Sequence, residues 1–174
     1  MNKDCFGLWI TGIPASGKSC LSGALQKTLH ERGIVTVVLE SDALRRIFTK
    51  TPSYEEQERD RFYEELALLG HLLIQQGVNV IFDATAHKSK YRDRARELIP
   101  LFIEVYLTCP LAISMQRDPK GIYQLARSGG SHSVPGFQIP YEPPRHPEVL
   151  LDCRHSPQQN AATVLSFLIS QMYI

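Results

Sequence analysis

Long hydrophobic runs are missing from this 174-residue chain, and no segment approaches the length needed to cross a bilayer. Excess charge is missing as well. With 19 Lys and Arg against 18 Asp and Glu, the net charge is +1, so no overall field recruits nucleic acid or an anionic membrane. Any selectivity for anions must come from a local cluster of cations, and the near-zero balance argues against a nucleic-acid kinase, which needs a basic groove. The four cysteines (Cys5, Cys20, Cys109, Cys153) form no C-x-x-C pair, which reads as reduced thiols in a cytoplasmic protein. The six histidines form no H-x-x-x-H pair, which argues against zinc. Asp4 close to the start, with only a short apolar run behind it, predicts no signal peptide. Internal repeats and low-complexity tracts are also absent.

What remains is an ordinary globular composition, 43% hydrophobic and 21% charged, at a length that fits one domain over residues 1–174. The chain is organised around Gly12-Ile13-Pro14-Ala15-Ser16-Gly17-Lys18-Ser19, a G-x-x-x-x-G-K-S stretch. Residues 6–11 before it read as a short buried strand; after it, Leu21, Ala24, Leu25 and Leu29 recur at helical spacing until Gly33. Strand, loop and helix are the setting a P-loop requires. Its glycines let successive backbone N–H groups turn inward onto phosphate oxygens, and the helix that follows aims the positive end of its dipole at them. The nucleotide cradle therefore spans Gly12 to Cys20. Lys18 is placed to reach the β- and γ-phosphates of ATP and the Ser19 hydroxyl to ligate Mg²⁺. The Cys20 side chain, on the first helical turn, reads as a small packing residue.

Further along, strand-like and helix-like patterns alternate. Residues 34–39 (IVTVVL) form a β-branched run ending in Glu40-Ser41-Asp42, and a long polar, charged stretch follows. Ser53-Tyr54-Glu55-Glu56 has the form of a capping box opening a helix that carries Leu66, Leu69, Leu72 and Leu73. Strands are expected over residues 78–82, 101–107 and 149–151, and helices over 88–98, from Pro110, and over 157–172. Continuous apolar strands alternating with helices predict an α/β fold of the P-loop NTPase type: three α/β/α layers around a mostly five-stranded parallel sheet. Ligands of such sheets bind beyond the carboxyl ends of the strands, where the P-loop, Asp42 and Asp83 all fall. Asp83 reads either as a partner of Mg²⁺ alongside Ser19 or as a strand-end carboxylate bonded to nearby backbone. Residues 128–144 hold three glycines and four prolines, lack periodicity, and read as a lid.

From Phe102 onward the text is specific. Phe102-Ile103-Glu104-Val105-Tyr106, Arg117-Asp118-Pro119-Lys120-Gly121-Ile122-Tyr123, Ala126-Arg127, Gly136 and Tyr141-Glu142-Pro143-Pro144 resemble the adenylyl-sulfate kinases, over nearly the whole chain. The resemblance implies transfer of the γ-phosphoryl of ATP to the 3′-hydroxyl of adenosine 5′-phosphosulfate in sulfate assimilation, in a cytoplasmic homodimer acting on small nucleotides. In that family a D-G-D-N-x-R segment follows the second strand, and Glu40-Ser41-Asp42-Ala43-Leu44-Arg45 stands there. The match implies that Asp42 is catalytic, holding the acceptor hydroxyl, and that Arg45 meets the 5′-anionic group; the bland alternatives are a helix N-cap and a solvated arginine. It also implies that Tyr54 stacks on the acceptor base, that Arg59 and Lys120 contact the acceptor, and that Arg117 and Arg127 serve the ATP side.

The departures from the family pattern are concentrated on the acceptor side. Phe62 replaces an Asn, Asp83-Ala84-Thr85-Ala86-His87 stands against A-F-I-S-P, and Ser131-His132-Ser133-Val134-Pro135-Gly136-Phe137 stands against K-x-F-T-G. Thr85 is then a substrate contact in a rewritten segment, and Phe137 a candidate for the stacking role that Val134 cannot fill. His87 and Lys88 read either as contacts to an acceptor phosphate or as a solvated helix start. Two rival functions stay open. One is a kinase of the same fold acting on another modified nucleotide, such as a cytidine diphosphate derivative used in surface-polysaccharide biosynthesis. The other is a nucleotide-binding module without catalysis, against which Lys18, Ser19, Asp42 and Arg45 together argue.

Overall fold

The computed structural model of the protein describes residues 5–49 and 51–174; Asp4, on which the signal-peptide reading leans, lies outside the described residues. Five parallel strands form one sheet in the order β2-β3-β1-β4-β5. They are β1 (Gly7–Thr11), β2 (Thr36–Glu40), β3 (Asn79–Asp83), β4 (Phe102–Thr108) and β5 (Val149–Asp152). Side chains alternate across each strand, and both faces are apolar. Leu8, Ile10, Ile81, Ile103 and Val105 enter one buried cluster, whereas Trp9, Val80, Phe82 and Phe102 enter another.

The helices cover these faces by the same logic. On the first cluster lie α1 (Lys18–His30), through Leu21, Leu25 and Leu29, and α7 (Pro157–Ser170), through Ala161, Val164, Leu165 and Leu168. On the second lie α3 (Glu56–Gln75), through Phe62, Tyr63 and Leu66, and α4 (Ser89–Leu98), through Tyr91 and Ala95. Trp9 is fully buried between them; its indole stacks on Phe82 with ring centroids 4.6 Å apart, and its Nε1 donates to the Ala84 carbonyl at 3.1 Å.

Three short helices lie at the carboxyl edge of the sheet: α2 (Ser41–Phe48), α5 (Leu111–Arg117) and α6 (Ile122–Arg127). The polar stretch after Asp42 is thus partly helical, and α2 begins with Glu40 as its N-cap. Asp42 lies inside the first turn and is not the cap. The capping box expected at Ser53 is also replaced. Glu55 is the N-cap of α3, with no side-chain cap; the Ser53 hydroxyl accepts from the Glu55 amide, and the Glu58 carboxylate accepts from the Tyr54 amide at 2.9 Å. A true capping box opens α7 instead, between Ser156 and Gln159.

Candidate functional site

The P-loop turns between β1 and α1 under tight steric limits. Gly12 has φ 157°, and a Cβ there would stand 2.6 Å from the Leu107 carbonyl oxygen, so only glycine fits against β4. Gly17, at φ 105°, occupies the left-handed region just before α1 begins. Lys18 folds back over the loop, its Nζ donating to the Gly12 and Ile13 carbonyls at 3.0 Å each. Burial pulls its ammonium below the ordinary lysine value, and the nearby Asp83 and Asp42 carboxylates oppose that pull. A cationic cradle is thereby ready for polyphosphate: backbone amides at a helix start and one buried ammonium.

The loop forms one wall of a cleft of about 1040 Å³. Residues from Pro14 to Cys20 border it, and so do Asp42, Arg45, Tyr54, Arg59, Asp83, Thr85, Arg117 and Lys120. Most of the residues singled out in the sequence therefore meet in one place. Gly12 and Ile13 belong to the loop behind that wall, and Cys20 is exposed toward the cleft rather than packed.

At the far end, Arg45 is 4% exposed, and its charge is answered on three sides. Its guanidinium lies 3.8 Å from the centre of the Phe62 ring and 5.0 Å from that of Tyr54, and it forms an ion pair with Glu58. Arg59, buried beside it, donates from Nε to the Tyr54 carbonyl at 2.7 Å and from Nη2 to the Ser133 carbonyl at 2.8 Å, joining α3 to the segment 128–144. Tyr54 itself sits at φ 58°, a strained value for a tyrosine. Glu58 was the residue that sequence reasoning passed over; its place beside Arg59, one helical turn from Tyr54, was the available signal.

Between the two ends, Lys120 Nζ donates to Asp42 Oδ2 at 2.6 Å and lies 3.5 Å from Glu40. This spans from α2 to the turn before α6. The rest of that turn explains the R-D-P-K-G-I-Y block. Asp118 accepts from the Tyr123 and Gln124 amides and so caps α6, while the Tyr123 hydroxyl donates to the Pro14 carbonyl at 2.9 Å, tying α6 to the P-loop. Arg117 donates to the Cys153 carbonyl at 2.9 Å and reaches the Ser16 carbonyl at 3.4 Å.

Several expectations are corrected. Phe137 does not border the cleft; it meets Tyr123 edge-on with centroids 6.0 Å apart, because Val134 has taken the buried place against Tyr123 and Ala126. Arg127 also lies away from the cleft, exposed near Met115. His87 is buried, not solvated: its ring lies 5.6 Å from that of Tyr91, and its Nδ1 has no hydrogen-bond partner among the described residues. Lys88 is engaged by Glu56.

For a metal, the cleft offers Ser19 on the first turn of α1 and Asp83 at the end of β3. Asp83 is 3% exposed, and its Oδ2 accepts from the Ser22 hydroxyl at 3.4 Å. A buried carboxylate and a hydroxyl are oxygen donors suited to a hard cation such as Mg²⁺, which keeps several waters and phosphate oxygens of its own. Among the described residues no cluster of three or more His, Cys, Asp or Glu could hold an ion unaided.

A P-loop after β1 of a parallel sheet in this order, facing a cationic acceptor pocket, defines a P-loop phosphotransferase. The comparisons then narrow the class. The family profile described as adenylylsulphate kinase matches residues 4–152. The adenylyl-sulfate kinase of Gloeothece citriformis is 37% identical over 147 residues, covering 84% of this chain and 82% of its own. That of Rippkaea orientalis is 35% identical over 154 residues, covering 88% and 84%. Among solved structures, the Mycobacterium tuberculosis APS kinase CysC in complex with AMPPNP and APS superposes with a TM-score of 0.89 at 29% identity, over 95% of this chain and 98% of that one. The chain belongs to the adenylylsulphate kinase family.

Proposed function

We propose that the protein transfers the γ-phosphoryl group of ATP to the 3′-hydroxyl of adenosine 5′-phosphosulfate, giving 3′-phosphoadenylyl sulfate. One observation carries this reading: the cleft has two chemically distinct ends, a P-loop and an arginine–aromatic pocket, with the Asp42 carboxylate between them. A relative of the same fold, at a TM-score of 0.89, was solved in complex with AMPPNP and APS, which supports the pairing of a nucleoside triphosphate with this acceptor.

The roles follow from position. Lys18 and the P-loop amides hold the polyphosphate and take up charge that develops on the transferred group. Asp42 orients the acceptor hydroxyl, whose oxygen attacks the γ-phosphorus in line. The bond to the β–γ bridging oxygen breaks, ADP departs, and the hydroxyl proton passes to Asp42 or to solvent. Lys120 fixes the Asp42 carboxylate. Arg45 and Arg59 meet the acceptor's anionic group, Tyr54 and Thr85 border its nucleoside, and Arg117 stands beside the ATP side of the loop. Ser19 and Asp83 are the residues that would hold Mg²⁺, which supplies charge neutralisation on the phosphates when bound. Segment 128–144 acts as a lid: Ser131, Ser133, Val134 and Pro135 already overhang the cleft, and closing it excludes water as a competing acceptor.

The names of the relatives favour adenylyl sulfate over a cytidine diphosphate derivative as acceptor. The reading takes residues 1–174 as a single domain, acting in the cytoplasm as a homodimer; sedimentation at micromolar concentration tests the dimer, and a monomer there contradicts it. The experiment for the activity is ADP release with Mg²⁺ and ATP across a panel of nucleotide acceptors. Turnover confined to adenosine 5′-phosphosulfate is expected; turnover confined to a cytidine nucleotide would reverse the assignment.

A further inference from the structure

Two thiols that this chemistry does not use stand on neighbouring strand ends, Cys153 bordering the cleft and Cys109 beside it. β4 ends at Thr108 and β5 at Asp152, and those two residues are register partners. The pairing continues one step, since the Cys153 amide donates to the Thr108 carbonyl at 2.9 Å. Cys109 and Cys153 are therefore the next residues along two adjacent parallel strands. Strands of a sheet lie about 4.8 Å apart, inside the roughly 4.4–6.8 Å between α-carbons that a disulfide spans. Both residues pack against the same hydrophobic cluster, and both thiols are free. Burial, and then the neighbouring Cys109 thiol, push the Cys153 thiol up to about 11, so it stays protonated, whereas Cys109 is only half-buried and is the accessible member.

We propose that Cys109 and Cys153 form an oxidisable dithiol whose disulfide weakens nucleotide binding at the P-loop. The oxidant is a small-molecule disulfide. The Cys109 thiolate attacks one of its sulfurs and releases one thiol; Cys153 Sγ then displaces the second from the mixed disulfide, giving up its proton. Two protein thiols are oxidised and one reagent disulfide is reduced to two thiols. The link to the P-loop is Arg117, whose guanidinium bonds the Cys153 carbonyl at 2.9 Å and reaches the Ser16 carbonyl at 3.4 Å. Drawing Cys153 toward Cys109 moves the carbonyl that positions this arginine beside the loop. The bond is independent of the activity proposed above, and its effect on affinity rests on that reading of the P-loop.

The test equilibrates the full chain in graded ratios of oxidised to reduced glutathione, traps the remaining thiols by alkylation, and maps the peptides. The Kd for a non-hydrolysable ATP analogue is measured on the same samples. The expected result is a Cys109–Cys153 linked peptide, an intact mass lower by two hydrogens, and a Kd weakened roughly tenfold and restored by a dithiol reductant. Cys109→Ser and Cys153→Ala should each bind the analogue as the reduced protein does, whatever the ratio. Absence of the linked peptide throughout the series would overturn the bond. A linked protein with unchanged Kd would overturn its effect. Failure of the reduced protein to bind the analogue would count against the P-loop reading and with it the coupling, while the peptide map would still decide the bond.

Discussion

Lys18 illustrates what a single side chain does in the fold. It is 9% exposed and spends its ammonium on two loop carbonyls, bonds that phosphate oxygens replace. Lys18→Ala should abolish phosphoryl transfer while leaving the melting temperature within a few degrees; activity near that of the parent would refute its role. Arg45 makes the complementary case at the acceptor end. The Phe62 ring under its guanidinium is worth about 1 kcal/mol, so Phe62→Leu should raise KM for adenosine 5′-phosphosulfate by roughly fivefold with little change in KM for ATP. An unaltered acceptor KM would show that the ring only fills space. His87 offers a pH prediction. Burial, then Arg59 and Lys88, hold its pKa down to about 4 from 6.5, so the folded state favours the neutral ring. The stability this group contributes is present above pH 6.5 and is lost as pH falls toward 4. Replacing it with Gln should flatten that part of a stability–pH curve. Which of these residues the sequence revealed depends on chemistry that repeats: Lys18 sits in a spaced motif, and Arg45 aligns with a family arginine. Glu58 meets Arg45, and His87 packs against Tyr91, only once the chain has folded.

Among the elements, those with a sustained period were legible and those held by tertiary contacts were not. The strands showed as apolar runs, α1 and α7 through leucines and alanines at helical spacing, and their observed bounds differ from the expected ones by one or two residues. α2 shows in the sequence only as the helix that an N-cap at Asp42 would open, and α6 not at all; at eight and six residues both are too short for a period to appear. Each is held from outside, α2 by the buried Arg45 and α6 by Asp118 at its start and Tyr123 on the P-loop. The α3–β3 contact yields a prediction of its own. A Cβ on Gly70 would stand 2.1 Å from the Phe82 ring, which is itself fixed by the stack on Trp9. Gly70→Ala should therefore destabilise the protein by about 1–3 kcal/mol in denaturant titration. A change within error would mean that α3 lifts freely from the sheet.

At the scale of the whole molecule, a net charge of +1 conceals a strong local field. Lys18, Arg45, Arg59, Arg117 and Lys120 converge on one cleft, while the compensating Glu and Asp are paired elsewhere on the surface or lie beside them in it. That convergence was legible in outline, because the P-loop, Asp42 and Asp83 each follow a strand of a parallel sheet. The exchange of Phe137 for Val134 was not, because a segment without periodicity carries no signal for which of its apolar residues turns inward. The central claim is that the two ends of the cleft bring ATP and a 3′-hydroxyl into line. The measurement that tests it most directly is phosphorus NMR with mass analysis of the product made from ATP, Mg²⁺ and adenosine 5′-phosphosulfate. One new phosphate, coupled to the ribose 3′ proton and formed in step with ADP, is the predicted result. A product carrying the phosphate elsewhere, or ADP and free phosphate without any new nucleotide, would contradict it.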